Sequence, residues 1–123
     1  MSFQETELKV ITMEAGKQPE LRLIKVKDEY STSELISASV NGYIEALRLS
    51  ETCTLWINEE GKLQGLEPNF LLTDTDGNTM DIVVGNVIFT GLDCEGNVVS
   101  LTDEDIELIN DRFENRVKMK YYM

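Results

Sequence analysis

The chain has no histidine, and its 123 residues include only two cysteines, two prolines and one tryptophan. Without histidine, the commonest general base and a principal zinc ligand are both missing. The two cysteines, Cys53 and Cys94, lie far apart and share no motif. They argue against a structural zinc site and are expected to be two buried or half-buried free thiols. No apolar run approaches the ~18 residues needed to span a bilayer. The opening MSFQETELK lacks both the basic and the apolar stretch of a secretory signal. A cytoplasmic protein without membrane association is therefore expected.

Positive charge is scarce and unevenly placed. Net charge is −12, from 23 acids and 11 bases. Residues 1–50 are nearly balanced, with eight acids and six bases. Residues 51–111 carry fourteen acids and one base, Lys62. Residues 112–123 reverse the sign, with Arg112, Arg116, Lys118 and Lys120 against Glu114. Nucleic-acid binding requires cations that displace counterions, so no direct nucleic-acid binding is expected. The fitting partner is a basic protein surface, reached faster by steering and lost in salt. The plainer alternative is a solvated acidic surface that only keeps the protein dispersed.

What is present describes a folded protein, 41% hydrophobic and 28% charged. Its length fits one domain over residues 1–123. The organising stretch is Leu55–Asn69, where an apolar strand runs into Asn58, two carboxylates and a glycine turn. Upstream, residues 7–13 and 21–26 read as strands joined across Ala15–Pro19 in a hairpin. Ser31-Thr32-Ser33-Glu34 offers caps for a short helix over about Ser33–Val40, stopped by Asn41-Gly42. Residues 43–49 and 54–57 read as two more strands, with Trp56 as a core side chain. Gly65 and Pro68 break any long helix over 63–72, leaving room for one helical turn at Asn69–Leu72. Asp76-Gly77 marks a turn. Val87-Ile88-Phe89 is continuous apolar sequence, as for a central strand, and Val98-Val99 is a short return strand.

The C-terminal helix is the clearest element. Thr102 is its N-cap, with Asp105 three residues on and Leu101 placed to staple onto Ile106. Asp103, Glu104 and Asp105 complement the positive end of the dipole, and Arg116, Lys118 and Lys120 the negative end. Ile106, Ile109, Phe113 and Val117 form the buried stripe. The fold expected is α+β: an antiparallel or mixed β-sheet with a short helix and a C-terminal helix packed on it, both on one side.

Chemical motifs are weak. Asp74-Thr75-Asp76-Gly77 with Asp81 lacks the glycine position and closing glutamate of a calcium loop. Glu59 and Glu60 are adjacent and would point apart on a strand, so they do not flank one bond. No phosphate-cradling glycine loop is present. A non-enzymatic protein with no catalytic residues, no metal and no cofactor is expected. The one constellation with a purpose is acidic. Glu104, Glu107, Asp111 and Glu114 recur at three and four spacing, so they line one helix face. Asp93 and Glu95, in a preceding turn, extend the set into spaced negative charges resembling a phosphate track. A solvated helix face is the alternative.

Six short stretches follow in order: Gly42-Tyr43-Ile44-Glu45, Asn58–Lys62, Gly65-Leu66 with Pro68-Asn69, Asp81–Gly85, Gly91-Leu92-Asp93 and Ser100–Glu104. Over about residues 7–115 they resemble a family of unknown function common in phages, plasmids and other mobile elements of Gram-positive bacteria. That resemblance brings no catalytic residues. It implies a bacterial host cell and a counter-defence role, since some type II anti-CRISPR proteins are similar in size and charge. The expected function is inhibition of a CRISPR effector nuclease or its guide loading, by docking in the basic channel that holds the nucleic acids. The alternative is an accessory protein- or ligand-binding module that works through Asn58–Asn69, around Trp56.

Overall fold

The computed structural model describes residues 6–73 and 76–113. Its main sheet is antiparallel in every pairing, with strand order β2-β1-β7-β4-β3 and β8 paired to β7. The strands are β1 (Thr6–Met13), β2 (Glu20–Val26), β3 (Ile44–Arg48), β4 (Cys53–Asn58), β7 (Val87–Leu92) and β8 (Val98–Val99). A separate two-stranded ribbon joins β5 (Pro68–Thr73) to β6 (Thr79–Val84). Two helices complete the chain, α1 (Glu29–Val40) and α2 (Asp103–Phe113).

The expected hairpin of β1 and β2 forms, as does the central position of β7. The sheet is covered on both faces, and the strands show why. In β1, Leu8 and Val10 face one apolar cluster while Ile11 and Met13 face the other. In β7, Ile88 belongs to the first side, and Val87 and Phe89 to the second. A strand buried on both faces reads as continuous apolar sequence rather than alternation. The two helices therefore lie on opposite faces, not one side. Ile36 and Val40 of α1 pack in the cluster with Ile88, whereas Ile109 and Phe113 of α2 pack in the cluster with Phe89. The β5–β6 ribbon shares the α2 side through Phe70 and Val83.

Three local readings change. Helix α1 begins before Ser33, because Asp28 is the N-cap. Its Oδ1 accepts from the Ser31 backbone at 2.8 Å, and Ser31 Oγ accepts from the Asp28 backbone at 3.1 Å. This reciprocal box satisfies two otherwise orphaned donors and draws Ser31 and Thr32 into the first turn. The stop is as expected, with Asn41 left-handed at φ 63°. Residues 69–72 belong to β5 rather than a helical turn: Pro68 opens the strand, where its missing N–H does least harm, and Phe70 is buried beneath Phe113. Cys53 is buried, but Cys94 is exposed on a turn.

Strand β1 pairs with β2 along most of its length but with β7 only over Ile11–Met13. The gap at its other end is filled by the segment after β8. Lys9 N donates to Ser100 Oγ at 3.0 Å, and Leu101 N donates to the Lys9 carbonyl at 2.9 Å. Gly91 lies where this segment crosses β7, and a Cβ there would collide with the Ser100 carbonyl. This crossing sets the position of α2.

Candidate functional site

Helix α2 starts as its sequence dictates. The Asp105 backbone N–H donates to Thr102 Oγ1 at 3.1 Å, and Leu101 and Ile106 join the same apolar cluster. Phe113 anchors the other end. Its ring meets Phe70 edge-on at 4.8 Å between centroids and Phe89 at 5.7 Å. With Ile109 and Phe113 buried, Glu104, Glu107 and Asp111 are exposed at three and four spacing. Like charges at that spacing destabilise an isolated helix by a few tenths of a kcal/mol each. Glu114, the fourth expected member, lies outside the described residues, as do Arg116, Val117, Lys118 and Lys120. Among the described residues, the cation at the start of the helix is Lys9, 3.7 Å from the exposed Asp103. An exposed pair of this kind contributes little.

Asp93 and Glu95 occupy the β7–β8 turn. The Asp93 carboxylate is turned onto its own loop, accepting from Asn97 N at 2.8 Å and Glu95 N at 3.0 Å. These bonds, the Asn97 amide foremost, hold its carboxyl below the usual carboxylate range. Asp93 therefore shapes the turn, and Glu95 remains exposed beside it. The same turn presents Gly96, Asn97 and Val98 to a cavity shared with Asp28, Thr32 and Trp56, on the α1 side.

The Leu55–Asn69 stretch is tied into the fold through its two asparagines. Asn58 is buried; its Nδ2 donates to the Val40 carbonyl at 3.1 Å and its Oδ1 accepts from Glu60 N at 2.8 Å. Asn69 is also buried, and its Nδ2 donates to the carbonyls of Met13 and Gly85 at 3.1 and 2.7 Å. Trp56 is half-buried rather than a full core residue: it packs against the apolar cluster on the α1 side, its Nε1 donating to Thr90 Oγ1 at 2.9 Å. The exposed parts of the stretch are its turn, with Leu63 at 89% exposure and Lys62 paired to Asp81, and Glu67-Pro68 beyond it.

Among the described residues no group of three His, Cys, Asp or Glu side chains gathers to hold a metal ion. No described helix is long and apolar enough to cross a membrane. One functional candidate escapes the sequence pattern. Asp105 looks like a third dipole-complementing acid, yet it is buried and faces inward. Its spacing to Ile109 is the only signal that could have revealed this, and an aspartate is not counted in an apolar stripe.

A family model described as a domain of unknown function (DUF3846) matches residues 8–114. The chain belongs to that family. No curated protein and no solved structure matches it. The match to the DUF3846 model takes in both asparagine ties, the Gly91 crossing and all of α2. Within it, Gly42 is shaped by Asn58, whose Nδ2 lies 2.8 Å from where a Cβ would stand. Gly85 is left-handed at φ 79° and gives its carbonyl to Asn69.

Proposed function

We propose that this DUF3846 protein is a non-enzymatic inhibitor that docks its α2 face on a basic protein surface. The observation that carries this reading is the exposed row Glu104, Glu107 and Asp111, within a stretch of fourteen acids and one base. Contact with a basic surface would relieve the repulsion along that row. The partner we favour is a type II CRISPR effector nuclease, whose nucleic-acid channel is basic. A bacterial host and a mobile-element origin are part of the same proposal. The alternative, a binding module working through Asn58–Asn69, has less support, because both asparagine side chains are engaged inside the fold.

The test is cleavage of a target plasmid by a purified type II nuclease, with the protein added before or after guide RNA. Inhibition is expected, with binding that weakens by at least about tenfold between low and physiological salt. The triple variant Glu104→Lys, Glu107→Lys, Asp111→Lys should abolish inhibition while retaining its circular dichroism spectrum. Full inhibition by the folded triple variant removes this face from the mechanism. No effect in either order, across several such nucleases, overturns the proposal.

A further inference from the structure

Beneath α2 lies a cavity of 340 Å³, between the helix and the β5–β6 ribbon. Its walls are apolar, formed by Phe70, Leu72, Phe89, Ile109 and Phe113, with Leu108 at the lip. This size falls at the small end of ligand pockets, roughly 300–1,000 Å³. One charged side chain in its lining is nearly sequestered: Asp105, at 6% exposure. Thr52 Oγ1 donates to one oxygen of its carboxylate at 2.8 Å. The other oxygen accepts no hydrogen bond from a described residue, and no described cation lies within ion-pair distance.

A buried carboxylate with one hydroxyl partner is a costly arrangement, because buried charges are normally paired and fully hydrogen-bonded. Cys53, also in the lining, is held as a neutral thiol: burial foremost, then the Asp105 carboxylate, pushes it up to about 12. We propose that the cavity binds a small amphiphilic amine, whose aromatic or alkyl body fills the apolar walls and whose ammonium group meets Asp105. The ammonium supplies both the missing donor and the missing charge. Arg112, exposed at the rim and about two helical turns from Asp105, directs the cation to the Asp105 end. The strongly negative chain raises the local concentration of any such cation. This site is distinct from the outer acidic row and does not depend on the docking proposed for it.

The probe is 2-phenylethylamine, titrated to about 10 mM into the full chain labelled with nitrogen-15. Amide shifts are expected at Phe70, Leu72, Asp105 and Ile109, with a dissociation constant on the order of 1 mM or tighter. 3-Phenylpropionate, a similar body with opposite charge, should bind at least about tenfold more weakly. Asp105→Asn should weaken the amine about tenfold and leave neutral 2-phenylethanol unchanged. Leu108→Trp, at an exposed position that folding tolerates, should narrow the mouth and weaken the amine too. Absence of shifts, or equal binding of amine and propionate, overturns the proposal. So does unchanged amine binding in both variants. Nuclear Overhauser contacts from residues 114–123 to Leu72 or Leu108 would assign the cavity to the chain's own end. Shifts at these residues that follow protein concentration alone would assign it to a second copy. Either result also overturns it.

Discussion

At the scale of single residues, buried amide side chains do more to join this molecule than ion pairs do. The described ion pairs are exposed at one or both partners, and such pairs contribute about 0–1 kcal/mol each. Asn58, in contrast, closes the end of α1 and the turn after β4 with one buried side chain. Asn58→Ala leaves the Val40 carbonyl and the Glu60 amide without that partner, and should cost about 2–3 kcal/mol in urea unfolding. Gly42→Ala should also destabilise, because its Cβ would press on Asn58 Nδ2. The two effects should not add. In the Asn58→Ala background the glycine substitution should cost at least about 1 kcal/mol less, and simple additivity would show that the pair does not interact. Neither role is legible in sequence. An asparagine beside a glycine reads first as a turn former, and only the strands brought alongside it reveal what its amide bonds.

At the scale of elements, α2 depends on a crossing that its own sequence does not mention. Gly91 lets the Ser100 backbone pass against β7, and Leu101 then pairs with Lys9 before the helix begins. Gly91→Ala puts a methyl group against a main-chain carbonyl that cannot rotate away. A loss of about 3 kcal/mol or more is expected, with hydrogen exchange accelerated first in α2 and β8. Exchange that rose uniformly would mean that α2 is not held through this crossing. The helix itself, the β1–β2 hairpin, the β7–β8 return and the central place of β7 follow from periodicity, caps and apolar runs. The side on which each helix lies does not. Adjacent buried residues such as Val10 and Ile11 are the only sign that both faces of the sheet are covered. The β5 strand is hidden similarly, since Pro68 and two leucines carry no strand signal until β6 lies beside them.

At the scale of the whole molecule, charge and hydrogen bonding oppose each other as pH falls. Net charge is −12, and self-repulsion in the folded state relaxes as the chain approaches its isoelectric point near 4.3. Asp28 and Asp93 act in the other direction. Backbone amides, with that of Ser31 foremost for Asp28 and that of Asn97 for Asp93, hold both carboxyls below the usual range. A depressed folded pKa gives stability that is present above the unfolded value, about 3.9, and is lost as pH falls through the folded one. The melting temperature should therefore rise from pH 7 to about pH 5 and fall below about pH 4. Added salt should raise it at pH 7 and matter least near pH 4–5. A curve that fell steadily from pH 7, or one indifferent to salt, would show that the acidic excess does not strain the fold. The outer carboxylates of α2 were legible from spacing alone. Asp105 was not, because an aspartate in line with Ile109 and Phe113 reads as an acid of the first turn rather than as part of the buried stripe. The sheet order has one more consequence, for assembly. Its middle strand, β7, follows both flanking hairpins in the sequence, so both must wait for it. Until residue 92 is available, β1–β2 and β3–β4 are two ribbons with no neighbour between them. Synthesis thus supplies both ribbons before the strand that joins them, and between residues 58 and 92 the nascent chain carries the uncovered inner edges of β1 and β4.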